Sequence, residues 1–186
     1  MAVPVFLLLV LGMLEFGFVF DQTMTVSYAT REGARSGAAF ANGNLTTMVC
    51  ATSEDIDKHI VAAVQRVLDA PGSRVAIGRV DEIRIYNANS SGAQIGGQAN
   101  IWTPGTGPVV DGVALKFNDT TTAWNACARD NTWSGGVAPD SIGVAVQYRY
   151  EFVTPLAAIT SFFGPGGTTT LPISDRTVMA LNPTND

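Results

Sequence analysis

Side chains that could do chemistry are few in this sequence and lie far apart. His59 is the single histidine, and helical spacing places it on the more exposed side of a predicted helix. Asp55 and Asp57 are spaced like alternate Ca²⁺ ligands, but they lie in the predicted first turn of that helix without the rest of a calcium loop. The Gly-rich residues 164–167 lack the Lys and the helix that follow a phosphate-binding loop. With no nucleophile motif and no metal-ligand cluster, the sequence predicts neither an enzyme nor a bound cofactor.

The two cysteines, Cys50 and Cys127, are too far apart for a CxxC redox or zinc motif. They form either one disulfide or two buried thiols, and we favour the disulfide. A disulfide that closes a loop of this length contributes roughly 4 kcal/mol of stability in the chain-entropy model. Such a bond suits a small domain that faces an oxidising compartment.

Composition limits the partners that the chain is suited to bind. The 186 residues carry a formal net charge of −5, and the 11 Lys and Arg residues are scattered rather than clustered. Because phosphate backbones are bound by clustered cations, we do not expect a nucleic-acid partner. Only 15% of the residues are charged, and Gly, Thr, Asn and Ser are abundant instead. Such a surface is common outside the cytoplasm.

The amino-terminal segment has the length and apolarity of a membrane span. From Ala2 to Phe20 every residue is apolar or Gly except Pro4 and Glu15, and Pro is tolerated at a helix start. A signal peptide would have a basic start, a shorter apolar core and a small-residue cleavage site, so this segment is expected to stay attached. Beyond Phe20 the chain becomes polar without a helix breaker until residues 42–44. One helix from Val3 to Phe40 would be roughly 57 Å long, and about half of it would fit the ~30 Å hydrocarbon core.

The polar half of this helix carries a stripe of small residues. Ala29, Gly33, Gly37 and Ala41 recur every four residues, so one face allows another backbone or a sheet to approach closely. Each Gly inside a helix costs about 1 kcal/mol relative to Ala, which suggests a packing reason for both glycines. The stripe either seats the protein's own sheet or forms a helix contact between subunits, and the two uses can share the face.

Glu15 is the one carboxylate inside the apolar segment. One interpretation is that it reaches the interface by extending its side chain, or is neutral. The other is that it pairs with a cationic group of a neighbouring copy in a bundle.

The segments PVFLLLVLGMLEFG and ATREGAR resemble the amino terminus of the TadE-like proteins, which are pilin-like components of tight adherence (Tad) pilus systems. The later segments VAVQYRYEFVTPL and VMALNP resemble that family more loosely. In the first segment the residues that carry the resemblance are Pro4, Gly12, Glu15, Phe16 and Gly17. In the second they are the charged residues Arg31, Glu32 and Arg35. The family also has a Gly cleavage site and a Glu shortly before the position of Pro4, and this sequence begins too late to contain either.

The resemblance implies a structural subunit rather than an enzyme. Its apolar helix would hold the subunit in membrane lipid before assembly and then pack against copies of itself or other pilin-like subunits in an extracellular filament, with a role in adhesion. Residues 1–41 would form the membrane and assembly helix, and residues 42–186 the extracytoplasmic domain. The alternative is a single-pass membrane protein whose exported domain binds a surface partner or glycan and does not polymerise.

For the remaining domain the sequence predicts one helix and three strands. The helix runs from Ser53, a suitable N-cap, to Leu68, and Pro71 follows it. A clean period of two predicts a long strand from Ile142 to Phe152, paired with a strand at Arg79 to Tyr86 and with a last strand within residues 168–182. The expected fold is therefore α+β and pilin-like, with a long amino-terminal helix packed on a small antiparallel sheet.

The segment from Asn87 to Pro139 is rich in Gly, Asn, Thr and Pro, and it is predicted to be loop. Trp102, Trp124 and Trp133 are spaced through it. These tryptophans either contact a sugar or a protein partner at the surface or cap the small core.

Overall fold

In the computed structural model of the protein the described residues are 2–40, 53–132, 138–154 and 170–181. Two α-helices are present in these ranges, α1 (Ala2–Phe40) and α2 (Ser53–Leu68). Both predicted helices are therefore confirmed. The Gly-rich residues 164–167 lie outside the described ranges.

An antiparallel sheet of five strands has the order β5-β2-β1-β6-β7. A separate ribbon of two short strands, β3 and β4, lies between β2 and β5 along the chain. The strands are β1 (Val80–Ala88), β2 (Gln94–Pro104), β3 (Val109–Val110), β4 (Val113–Ala114), β5 (Phe117–Thr122), β6 (Ser141–Glu151) and β7 (Thr170–Ala180). With two helices and this sheet, the predicted α+β class is confirmed.

Strand β6 follows the predicted alternation. Its even-numbered residues from Ile142 to Tyr150 are all buried, whereas Gln147, Arg149 and Glu151 are exposed. The strand pairs with β1 on one side, where Ile83 lies opposite Val146. On the other side it pairs with β7 over eleven positions. All three predicted strands are thus present, with the predicted antiparallel neighbours.

The loop prediction for residues 87–139 is wrong where strands β2, β3, β4 and β5 form. Strand β2 pairs with β1, and β5 pairs with β2 to form one edge of the sheet. The sequence of β2, QIGGQANIWTP, contains two adjacent glycines, a weak pattern for a strand. It becomes a strand because β1 supplies a hydrogen-bonding partner, an example of tertiary context overriding local propensity.

The core lies between one face of the sheet and the two helices. One face of α2 packs into this core, because Ile56, Ile60, Val64 and Leu68 are all buried. The second half of α1 contributes Val26 and other buried residues to the same cluster. The long helix is therefore part of the globular core over much of its length.

The other face of the sheet carries a small cluster of its own. The ring of Tyr86 covers Gly143 so closely that an added Cβ on the glycine would lie 2.3 Å from Tyr86 Cζ. The Tyr86 hydroxyl donates a hydrogen bond to the carbonyl of Gly92 at 3.1 Å. Burial raises the pKa of Tyr86 above its ordinary value, so it remains a donor.

A candidate membrane and assembly helix

The first third of α1 projects beyond the rest of the described structure. Its large side chains are exposed, among them Phe6, Leu9 and Met13. By length and composition, α1 is the one helix of the described residues that qualifies as a membrane span, with a mean hydropathy of 1.9 over its best window. An exposed apolar helix of this kind is stable in lipid, where its hydrogen bonds are all internal.

Glu15 is the first residue of α1 that is hydrogen-bonded to the globular domain in the described structure, and it is only 3% exposed. The Tyr150 hydroxyl donates to Glu15 Oε1. The backbone N–H groups of Val153 and Thr154 donate to Oε1 at 3.0 Å and to Oε2 at 2.8 Å. Burial and the nearby Glu15 carboxylate raise the pKa of Tyr150, which keeps this phenol a donor.

Glu15 thus has partners within its own chain, which neither sequence interpretation included. They lie at the end of β6 and in the residues that follow it, 135 or more positions away along the chain. The period-two pattern of β6 placed Tyr150 on the core face but carried no sign that its hydroxyl would meet a carboxylate. We call this set of three hydrogen bonds the Glu15 latch.

The small-residue stripe of α1 faces the protein's own core. A Cβ added to Gly33 would lie 2.5 Å from Val64 Cγ2, and one added to Gly37 would lie 2.6 Å from Ile142 Cδ1. Ala29 is fully buried on the same face. The stripe therefore seats α2 and β6 against α1, which is the intramolecular alternative. Ala41 lies outside the described residues.

The opposite face of α1 is apolar and uncovered. Phe16, Phe20 and Tyr28 are 72%, 58% and 55% exposed, and Met24 lies between them. With Met13 these side chains recur every three or four residues, so they share one side of the helix. We call them the outer stripe, which consists of Met13, Phe16, Phe20, Met24 and Tyr28.

The charged residues of the family-like segment continue this side of the helix. Arg31, Glu32 and Arg35 are exposed, and Arg35 Nη1 lies 3.9 Å from Glu32 Oε2. An exposed pair of this kind contributes little to stability. These residues are therefore available for contacts outside the chain.

The remaining family-like positions lie in the first half of α1. Pro4 is in the first turn, where a backbone N–H group would have no hydrogen-bond acceptor within the helix, so its absence loses no helical hydrogen bond. No atom of the described structure lies within 4 Å of a Cβ added to Gly12 or Gly17. Unlike Gly33 and Gly37, these two glycines are not required by packing inside the chain.

Of the three tryptophans that were expected either to contact a partner at the surface or to cap the core, two are buried. Trp102 and Trp124 are each only 2% exposed and belong to the core. Trp102 also lines a groove of about 390 Å³ together with Lys58 and Asp119. Trp133 lies outside the described residues.

The cysteine pairing is described at one end only. Cys127 lies in a short 3₁₀ helix, Ala126–Ala128, and the described residues contain no free cysteine. Cys50 lies outside the described ranges, so the disulfide stays a prediction.

A buried ion pair joins α2 to the segment that follows β5. Arg129 Nη2 donates to Asp57 Oδ1 at 2.7 Å, and both side chains are almost fully buried. Asn100 donates to the other carboxylate oxygen, and the Arg129 guanidinium lies 4.5 Å from the centre of the Trp124 ring. Burial raises the pKa of Asp57, while Arg129 and Asn100 act in the opposite direction.

The contacts of Asp57 with Arg129 and Asn100 hold parts of the fold together. Asp57 and Arg129 are enclosed, and no group of three or more His, Cys, Asp or Glu side chains that could hold a metal occurs in the described part of the chain. Asp57 shared a calcium-like spacing with Asp55, but its partner is a guanidinium. His59 lies 2.9 Å from Asp111 through Nδ1 and stacks on Phe40, a surface arrangement.

Comparison with known proteins bears on α1 alone. Residues 1–35 match the family model described as TadE-like protein. No curated protein and no solved structure matches the chain significantly. The match ends at Arg35, so it contains Glu15 and the whole outer stripe and leaves the sheet outside.

The matched family is structural and not typically enzymatic. The exposed apolar part of α1 and the family match at the same residues fit a pilus-related, membrane-anchored subunit. The chain begins with a TadE-like segment, as the sequence predicted, and this is consistent with a TadE-like, pilin-related protein of the Tad system.

Proposed function

We propose that the protein is a structural subunit of a Tad-type pilus that assembles through the outer stripe of α1 and has a role in surface attachment. The observation that carries the proposal is the exposure of this stripe along the half of α1 that is docked on the domain. Covering such side chains with another protein surface would be favourable, because burying each large apolar side chain contributes about 1.5–3 kcal/mol of free energy.

Assembly through the outer stripe leaves the rest of the fold unchanged. The small-residue face is already occupied by α2 and β6, so α1 can offer its opposite side to neighbouring subunits. In this arrangement the projecting apolar third leaves lipid and packs with other subunits, and the sheet faces outward. The partners are copies of this chain or other pilin-like subunits.

The test uses Tyr28→Glu, because Tyr28 lies beyond Asp21 and outside the apolar run. This variant keeps the membrane segment intact and places a carboxylate in the proposed contact, where an unpaired buried charge costs several kcal/mol. We expect Tyr28→Glu to be made and exported but to be absent from filaments in immunoelectron microscopy of sheared surface material.

Val109→Glu is the matched control, because Val109 is also a large hydrophobic residue that is exposed but lies on β3. It should enter filaments normally. Normal incorporation of Tyr28→Glu would contradict assembly through the outer stripe.

A membrane-anchored binding protein is the second candidate, and the groove beside Trp102 favours it. Lys58, Asn118 and Asp119 line this groove with the indole, a mixture of polar and aromatic groups that suits a polar ligand. This candidate predicts that no filament contains the chain. It also predicts that the wild-type protein binds a glycan on a glycan array and that the Asp119→Ala variant does not. Both results together would replace the first candidate with the second.

A further inference from the structure

The position of the Glu15 latch along α1 determines where the domain lies relative to the end of the apolar run. The domain is hydrogen-bonded to α1 from Glu15 onward, whereas the apolar run continues to Phe20. The two overlap over residues 15–20, which is about 9 Å of helix. A bilayer has a headgroup layer of roughly 5–8 Å on each side of its hydrocarbon core. The overlap is therefore about one headgroup layer deep.

Two loops of the domain lie at this level. The loop after α2 brings Gly72 and Arg74 beside Phe18 and Leu14, where they line an open groove of about 450 Å³. The residues after β6 bring Val153 to Glu15 through its backbone, while the Val153 side chain is 65% exposed. We call this surface the rim, which consists of residues 71–74 and 152–154.

Arg74 is the charged residue of the rim that is suited to phosphate. Its guanidinium carbon lies 4.8 Å from the centre of the Phe18 ring, so the side chain lies along the apolar helix. No carboxylate of the described residues forms an ion pair with it, although Asp21 lines the same groove. Arg79 and Glu151 nearby are already paired with each other. A planar guanidinium with free donors binds phosphate oxygens well.

We infer that the rim is a membrane-contact surface, seated in the headgroup layer of the bilayer that holds α1, with Arg74 binding lipid phosphate. The inference rests on the membrane anchoring in the proposed function. A lipid surface is the occupant because the rim is continuous with the exposed apolar third of α1. Its exposed groups, an apolar Val153 and an aromatic-backed Arg74, match the mixed polarity of that layer.

The experiment measures depth directly by nuclear magnetic resonance. The full chain is placed in phosphatidylcholine nanodiscs that contain a gadolinium-headgroup lipid, and amide relaxation is compared between the rim (Gly72, Ser73 and Val153) and the turn at Asn89 and Gly92. That turn joins β1 to β2 at the opposite end of the sheet. We expect several-fold faster relaxation at the rim, and equal relaxation at the two ends would overturn the inference.

A second label separates this failure from failure of membrane anchoring. With a spin label in the acyl chains, the amide signals of Leu7 and Leu9 are broadened if α1 is inserted in the bilayer. Broadening of these residues with no effect at the rim overturns the rim inference and leaves the proposed function intact. Absence of broadening overturns both.

The contribution of Arg74 is tested with phosphatidylglycerol, which adds anionic headgroups. One basic residue near an anionic surface contributes about 1 kcal/mol, or about fivefold in the seated population. Phosphatidylglycerol should therefore raise rim relaxation in the wild type and in Arg35→Gln, the control at the other end of α1, but not in Arg74→Gln. An equal rise in Arg74→Gln would overturn the assignment of Arg74. Unchanged amide shifts in the sheet would show that the variant folds.

Discussion

At the scale of single residues, two tyrosines on β6 allow the contribution of packing to stability to be distinguished from that of hydrogen bonding. Tyr148 and Tyr150 lie on the same face of the strand, and both are almost fully buried. The Tyr150 hydroxyl donates to Glu15, whereas the Tyr148 hydroxyl has no hydrogen-bond partner in the described structure. The same deletion of one oxygen atom therefore has different consequences at the two positions.

We expect Tyr150→Phe to lower the free energy of unfolding by about 1.5–3 kcal/mol, because it removes a bond to a charged group. Tyr148→Phe should be neutral or stabilising, because it removes a buried polar atom that lacks a partner. Chemical denaturation of both variants in the same detergent measures the difference. Equal losses would show that the Glu15 latch contributes nothing beyond packing.

The Asp57 and Arg129 pair is the second feature at this scale. Removing one partner of a buried ion pair leaves an uncompensated charge and costs about 3–5 kcal/mol, whereas replacing both by apolar residues is often near neutral. We expect Arg129→Met alone to be strongly destabilised and the double variant Asp57→Leu with Arg129→Met to recover most of the loss. Equilibrium unfolding of both variants checks this.

The same pair predicts a direction for pH dependence. Burial raises the pKa of Asp57, and removing Arg129 would raise it further because the opposing charge is lost. A carboxyl with a raised folded-state pKa is most compatible with the fold when protonated, so its cost is absent at low pH and appears as pH rises. The defect of Arg129→Met should therefore shrink as pH falls below neutral, and a pH-independent defect would contradict this account.

At the scale of elements, α1 is one helix with two differently used faces. Small residues on one face allow α2 and β6 to approach, and large apolar residues on the other face remain uncovered. A stripe of small residues is often taken as a contact between helices of different subunits. Here the residues with that pattern pack inside the chain.

Two glycines of α1 provide a matched test of this division. We expect Gly33→Ala to cost about 1–3 kcal/mol, because its Cβ would overlap Val64. Gly17→Ala should be neutral or stabilising by up to about 1 kcal/mol, because nothing lies within 4 Å of the added Cβ. Thermal unfolding of the two variants compares them directly.

Rescue identifies the cause of the Gly33 defect. Val64→Ala removes the atom that the new Cβ would meet, so the double variant should lose less stability than the two single losses added together. Simple additivity would indicate that Gly33 acts through something other than its contact with α2.

At the scale of the whole molecule, the predicted Cys50 to Cys127 bond would tie the start of the domain to the segment that follows β5. The segment containing Cys127 also carries Arg129 and Trp124, which are held in the core. If the bond forms, it joins two cysteines that are 77 positions apart, and closing this loop contributes roughly 4 kcal/mol of stability.

We expect reduction, or the double change Cys50→Ser with Cys127→Ser, to lower stability by up to about that amount. Non-reducing peptide mass spectrometry tests the bond itself. Free thiols at both positions would show that the prediction is wrong, and a bonded pair with an unchanged unfolding midpoint on reduction would show that the chain-entropy account fails.

The sequence by itself determined the local elements with strong periodicity. Alternation along residues 142–152 placed β6 and its buried face, because burial on one face imposes a period that is visible in the residues themselves. The N-cap at Ser53 and the proline at Pro71 placed α2. The apolar run and the family-like residues identified α1 and its relation to TadE-like proteins. Strand β2 was missed because its weak pattern acquires strand structure only from its partner β1.

Only the tertiary structure decided which side of α1 packs inside the chain. The partners of Glu15 come from more than 130 positions away, and the partner of Asp57 is 72 positions away. Neither pairing leaves a mark in local sequence, because hydrogen bonds and ion pairs depend on proximity in the fold. The choice between an internal and an external use of the small-residue stripe likewise required the positions of Val64 and Ile142, since the same pattern of small residues suits either neighbour.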